Sequence, residues 1–314
     1  MGKLAFVFPG QGSQAVGMGK DIYEALPEAA ALFGKADEVL DFKLSDLIFN
    51  GPEAELKMTA NTQPALLTTS YALYSAFASH GITPDFFAGH SLGEYTALAA
   101  AGVLSFEDAV ATVRSRGLFM EQAVPGGQGA MAAVLGAERG ALAALCQDIT
   151  SGGHLVELAN INCPGQIVVS GTQQGVAAVV ERVKEAGGKR AIPLEVSGPF
   201  HSSLMKAAAE RLEEKLTAVR FEDAKAPVVA NVTAQPVQKA ADIPALLTQQ
   251  VYSPVQWEDS VRWLIEQGVD MFVEIGPGSV LAGLIKKIDK SVRVLNISTR
   301  EHVEQVAGTL KEDL

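Results

Sequence analysis

Only two cysteines occur in 314 residues, Cys146 and Cys163, and neither belongs to a C-x-x-C pair. That excludes a disulfide framework and a cysteine-ligated zinc site, and leaves both thiols as filler of core or loop. Aromatic residues make up only 6% of the chain, while glycine and alanine are abundant. Such a composition suits close packing of helices on a sheet. No run of about 18 apolar residues occurs, so no membrane span is expected. The first residues, MGKLAFVFPG, lack a long apolar stretch and read as a strand, not a signal peptide. A cytoplasmic protein is the simplest expectation. The net charge is −11, so no general basic footprint invites nucleic acid. Local basic groups remain: Lys184, Lys189 and Arg190, then Lys286, Lys287, Lys290 and Arg293. Taken alone, each reads as a solvated charged face.

What is present is apolar material: 48% of the residues are hydrophobic, enough at this length for a large core. Strand and helix patterns alternate, which predicts an α/β fold with a mostly parallel sheet covered on both faces. Lys3–Phe8 reads as a buried strand ended by Pro9-Gly10. Helical spacing covers 18–40, interrupted near Pro27 and Gly34, and 62–80, with Pro64 in its first turn. Residues 85–91 form a strand running into a turn. Helices follow over 92–101 and Phe106–Gln122, the second with Ser105 as N-cap. Between 128 and 196 the order is β-α-β-β-α-β, that of a ferredoxin-like α+β unit. The expected organisation is a core domain of 1–125 and 197–314 with a subdomain of 126–196 inserted. The remainder predicts helices at 202–216, 243–250, 257–267 and 279–287, and strands at 227–231, 270–275 and 292–297, the last closing the fold.

Gly10, Gly12 and Ala15 in FVFPGQGSQA fit G-x-G-x-x-A, the cradle of a dinucleotide pyrophosphate. Such a site needs a second strand about 20 residues on, ending in an acid. Here an alanine-rich helix follows, and no strand leads into Asp37. The P-loop Lys-Ser/Thr is also missing. The glycines instead let a backbone approach some other charged atom.

Gly89-His90-Ser91-Leu92-Gly93 is G-x-S-x-G at a strand-to-helix junction, the context of a nucleophile elbow. Ser91 would stand at a helix N-terminus, with the Leu92 N–H aimed where an oxyanion forms. The alternative is an ordinary glycine turn with serine as its N-cap. A serine nucleophile needs a base. Of five histidines, His80 ends a helix, His302 lies near the C-terminus, His154 starts a strand, and His90 should diverge from its neighbour Ser91. His201, after EVSGPF at a turn before a helix, is the best base. No acid stands out to orient it: Asp148, Glu157 and Glu195 are available, and a backbone carbonyl could hold the same tautomer. Arg116 shares an apolar helix face with Val113 and Met120. Such an arginine either snorkels to solvent or clamps a carboxylate with its planar fork.

Together these motifs resemble the bacterial malonyl-CoA:acyl-carrier-protein transacylases of fatty-acid synthesis; similar acyltransferase domains occur in polyketide synthases. The resemblance runs nearly end to end, through FVFPGQGSQ, TQPAL, GHSLGEY, RSRGLFM, NINCPGQIVVSG, VSGPFHS, SPVQW and EIGPG. It implies an α/β-hydrolase-like core with a ferredoxin-like insertion, and transfer of a malonyl group from malonyl-CoA to the phosphopantetheine thiol of acyl carrier protein, without a cofactor or metal. By the same resemblance, Ser91 carries the acyl group and His201 is general base and acid. Gln11 and Leu92 give backbone N–H groups to the oxyanion hole, and the Gln250 carbonyl orients His201. Arg116 pairs with the malonyl carboxylate. Gln63, Asn160, Asn231, Met120 and Phe200 line the pocket, Phe200 going with malonyl over methylmalonyl. Lys189, Arg190, Lys286 and Lys287 are the expected carrier-protein face. A serine esterase or thioesterase would share Ser91 and His201 without using Arg116; a non-catalytic carrier-protein-binding module would form no covalent adduct.

Overall fold

The computed structural model describes residues 2–313. Its first strand, β1 (Lys3–Phe8), is apolar on both faces because it lies at the centre of the larger sheet. Ala5 and Val7 point into one hydrophobic layer, Phe6 and Phe8 into the other. Alternate side chains of a central parallel strand must both be apolar, since helices cover both faces. The other strands of this sheet are β2 (Phe86–Gly89), β7 (Val228–Ala230), β8 (Gln235–Val237), β9 (Val269–Ile275) and β10 (Arg293–Ile297). Their order is β10-β9-β1-β2-β7-β8. Only β8, at the edge, runs antiparallel to its neighbour.

The second sheet contains β3 (Gly129–Leu135), β4 (Val156–Cys163), β5 (Gln166–Thr172) and β6 (Arg190–Pro193), in the antiparallel order β4-β5-β3-β6. Helices Arg139–Ser151 and Gln173–Arg182 close a separate small core over it. This is the ferredoxin-like arrangement. The second sheet is tied to the segment before helix Trp257–Glu266 where β4 shifts register near Asn160: Ile161 N–H donates to Val255 O at 2.9 Å, and Val255 N–H to Ala159 O at 2.8 Å. That tie brings Asn160 to the cleft that the second sheet shares with the opening loop and the Ser91 turn.

Several sequence-based expectations are corrected. The stretch 18–40 is two helices, Lys20–Ala25 and Pro27–Leu40, and the second runs unbroken through Gly34. The helix expected at 62–80 is Thr59–Ala78, so Pro64 lies inside it, beyond the first turn. Strand β8 and helix Arg300–Asp313 were not expected. The chain therefore does not close on β10. The last helix buries Val303, Val306, Ala307 and Leu310, a helical stripe legible in hindsight. Ser105 caps its helix as expected, its Oγ accepting from Asp108 N–H at 3.0 Å. Both cysteines are buried and unpaired, and burial pushes the Cys146 thiol up to about 12. No helix of the described residues is long and apolar enough to cross a membrane.

The opening loop and the Ser91 turn press on each other. A Cβ on Gly10 would lie 2.4 Å from the His90 carbonyl oxygen, and one on Gly93 would lie 2.1 Å from that of Phe8. Both positions need glycine because backbone meets backbone there. Gly93→Ala is expected to destabilise the fold by at least about 2 kcal/mol, as overpacking against backbone cannot be relieved by a rotamer change. Urea denaturation with a midpoint equal to that of the parent would contradict this close approach.

Candidate active site

Ser91 joins β2 to helix Leu92–Ala100, with φ 50° and ψ −107°. A non-glycine residue at positive φ costs on the order of 1–3 kcal/mol, so its surroundings must hold it there. Asn231 supplies the hold. Its Oδ1 accepts from Ser91 N–H at 2.7 Å, and its Nδ2 donates to Gly89 O at 2.6 Å. The turn lifts Ser91 Oγ to 2.7 Å from His201 Nε2. His201 is itself at positive φ, 58°, and its Nδ1 lies 2.8 Å from the Gln250 carbonyl oxygen. That contact puts the proton on Nδ1 and leaves Nε2 its lone pair. No carboxylate takes this place: Glu157 accepts from Ser203 N–H, Asp148 pairs with Arg182, and Glu195 is exposed. Burial, helped by the Arg116 charge, lowers the His201 pKa to about 3, so the imidazole is neutral and available as a base.

Arg116 does not snorkel; it is 1% exposed. Its Nη1 donates to Gln63 Oε1 at 2.7 Å, and its Nη2 to Gln250 Oε1 at 2.9 Å and Ser91 Oγ at 3.0 Å. The guanidinium also lies over the Tyr95 ring, 5.4 Å from its centroid. None of these partners is a carboxylate, so a buried cation faces the cavity without a direct ion pair.

The cavity around Ser91 has a volume of about 110 Å³. Arg116, Gln63, Met120, Phe200, Leu92 and His201 line it, as do Gln11 and Asn160. It opens into a wider cleft of about 420 Å³, which shares Gln11, His90 and Asn160. The backbone N–H groups of Gln11 and Leu92 have no hydrogen-bond partner among the described residues. His90 is turned to Asn162, Nε2 to Oδ1 2.8 Å, while the Ser91 hydroxyl meets His201, so the two neighbours diverge as expected. Asn231 is placed differently from the expectation. It does not line the cavity but lies beneath the elbow, because its amide is spent on the backbone of Gly89 and Ser91.

Two features escape sequence reasoning. One is the Gln250 side chain, whose carbonyl alone was expected to matter. The other is Glu94, 2% exposed, whose Oε2 accepts from Gln250 Nε2 at 2.7 Å and Asn231 N–H at 3.1 Å. A single carboxylate in the otherwise apolar LGEYTALAA was the available signal.

An acyl transferase domain model matches residues 5–314. The chain belongs to the acyl transferase family. It is 57% identical over 313 residues to the malonyl CoA-acyl carrier protein transacylase of Bacillus subtilis, covering 100% of this chain and 99% of that one. The protein of the same description from Staphylococcus aureus is 50% identical over 304 residues, covering 97% and 98%. Among solved structures, the malonyl CoA-acyl carrier protein transacylase of Coxiella burnetii superposes with a TM-score of 0.95 at 38% identity, over 98% of each chain. A malonyl-transacylase solved in complex with a type II polyketide synthase acyl-carrier protein gives 0.95 at 40% identity, over 98% and 99%.

In an acyl transferase, this arrangement can make a serine ester: a hydroxyl, a neutral base held by a carbonyl, and two free N–H groups beside the nucleophile. An ordinary histidine of pKa about 6.5 would lose roughly thirty-fold of its basic form between pH 8 and 5. Buried His201 stays neutral across that range. Acylation of Ser91, followed by rapid quench and mass spectrometry, should therefore lack a thirty-fold loss centred near 6.5; finding that loss would contradict the buried neutral base.

Proposed function

We propose that this acyl transferase moves a malonyl group from malonyl-CoA to the phosphopantetheine thiol of acyl carrier protein, through a malonyl-Ser91 ester. The observation that carries the reading is the Arg116 fork, buried and 3.0 Å from Ser91 Oγ. A free carboxylate three carbons from the thioester sulfur side suits such a fork, and an unmatched buried guanidinium disfavours acyl groups without one.

The steps follow from the contacts. The substrate carboxylate takes over the Nη2 donor that rests on Ser91 Oγ, freeing a lone pair on that oxygen. Ser91 Oγ attacks the thioester carbon while His201 Nε2 accepts its proton. The oxyanion lies between the Gln11 and Leu92 N–H groups. The C–S bond breaks, and CoA leaves as a thiol with the proton from His201. In the second half, the carrier thiol gives its proton to His201 and its sulfur attacks the ester. The C–Oγ bond breaks and Ser91 regains its proton. No cofactor enters; phosphopantetheine belongs to the partner. Gln63 holds the fork, and Met120 and Phe200 shape the acyl pocket.

In this reading the core domain is 1–125 and 197–314, the subdomain is 126–196, and the acyl pocket lies between them. The carrier docks at the wider cleft. Lys287 donates to Gln166 Oε1 at 3.1 Å at its rim, and Lys189 and Arg190 sit beside β3 next to the same edge. Lys286 donates to the Val292 carbonyl, so Lys189, Arg190 and Lys287 carry most of this face.

Brief exposure to malonyl-CoA should give a malonyl adduct by intact mass, lost in Ser91→Ala and discharged by carrier protein faster than by water. Absence of an adduct would remove the enzyme reading, and discharge by water alone would favour a thioesterase. Arg116→Ala should lower kcat/KM for malonyl-CoA by about 2 kcal/mol, roughly thirty-fold, and remove the preference over acetyl-CoA. An unchanged preference would sink the clamp. Reversing the charge of Lys189 and Lys287 should raise the KM for carrier protein and spare loading; unchanged carrier kinetics would exclude this face.

A further inference from the structure

Glu94 has no role in the chemistry above, yet Ser91, His201 and Arg116 all lie within two hydrogen bonds of it. Its Oε2 holds Gln250 Nε2 and Asn231 N–H. Gln250 in turn accepts from His201 on its backbone carbonyl and from Arg116 on its side-chain oxygen, and donates to Ser91 O at 3.0 Å. Asn231 carries the Ser91 turn. Glu94 and Arg116 are both buried and do not touch. The Gln250 amide stands between them, oxygen toward the cation and nitrogen toward the carboxylate, so its dipole is aligned with both charges. This also settles which way the amide points.

A direct ion pair would occupy the guanidinium donors that a substrate needs. No counter-charge at all would leave a cation buried without compensation. One amide of separation avoids both. We propose that Glu94 is a positioning residue and the spaced counter-ion of the carboxylate clamp: it holds Gln250, and through it Arg116 and His201, while leaving the Nη2 donor that rests on Ser91 Oγ available to the substrate. The proposal deepens, and rests on, the malonyl-transfer reading.

Charge and position can be separated. Glu94→Gln keeps an oxygen for Gln250 and Asn231 and removes the negative charge. Glu94→Asp keeps the charge but is one methylene too short to reach Gln250. Burial raises the Glu94 pKa to about 7, against the opposing effects of Gln250, Asn231 and Arg116. The other titratable groups around this network are His201, neutral, and Tyr95, whose pKa is raised by burial. Assays at about pH 8 therefore compare an ionised Glu94 with its variants.

The experiment measures pre-steady-state acylation of Ser91 by malonyl-CoA in the parent and both variants, with product inhibition by free CoA as the control lacking a carboxylate. For Glu94→Gln we expect the half-saturating malonyl-CoA concentration to fall several-fold, up to roughly ten-fold, because a like charge near the substrate carboxylate is gone. Inhibition by CoA should not change, and the maximal rate should change less than the half-saturation. For Glu94→Asp we expect the maximal rate to fall at least about ten-fold, since His201 and Arg116 lose their shared anchor. Thermal unfolding of each variant fixes the folded fraction to which rates are normalised. If folded Glu94→Gln binds malonyl-CoA no more tightly, or both variants differ from the parent only in melting temperature, the proposal is overturned. If the parent itself forms no malonyl-Ser91, it is the transfer reading that fails.

Discussion

A guanidinium that is 1% exposed costs heavily in desolvation, and the rest of this site is arranged around meeting that cost without a touching carboxylate. Arg116 is held by two side-chain amides, a serine hydroxyl and an aromatic face. The Gln250 amide is the shared element. One residue orients His201 through its backbone carbonyl, holds the Arg116 cation through its side-chain oxygen, and steadies the Ser91 backbone through its nitrogen. Ser91, His201 and Arg116 therefore cannot be placed independently, and a shift of one is felt by all.

The second constraint is closeness. The free N–H groups of Gln11 and Leu92 come from two segments far apart in sequence, the opening loop and the Ser91 turn. They meet only because small residues let backbone approach backbone, as at Gly10 and Gly93. Ser91 and His201 both adopt positive φ without being glycine. Strain of this kind persists when the surroundings over-determine it. Here Asn231 pins one residue, and the Gln250 carbonyl and Val251 carbonyl pin the other.

The second sheet does more than append a subdomain. Its β4 is tied to Val255 by backbone hydrogen bonds, and Asn160 and Met131 reach the Ser91 cavity from that side. Loops and helices packed on the larger sheet thus form most of the cavity, and β3 and β4 of the smaller sheet give one wall.

The sequence by itself determined the element types, the insertion, the Ser91 elbow and, through repeated motifs in order, the family. Those are local or additive signals: a period, a turn, a short motif. It misjudged the end of the chain, where helix Arg300–Asp313 follows β10, and the place of Asn231, which supports the elbow from below. Only the tertiary structure decided that Arg116 is buried and that the Gln250 amide lies between it and Glu94. Helical spacing can show which residues share a face, but not what that face meets. Hydrogen-bond partners 134 and 156 residues apart, as in Arg116–Gln250 and Glu94–Gln250, are set by how the helices dock on the sheet. No window along the chain contains that information.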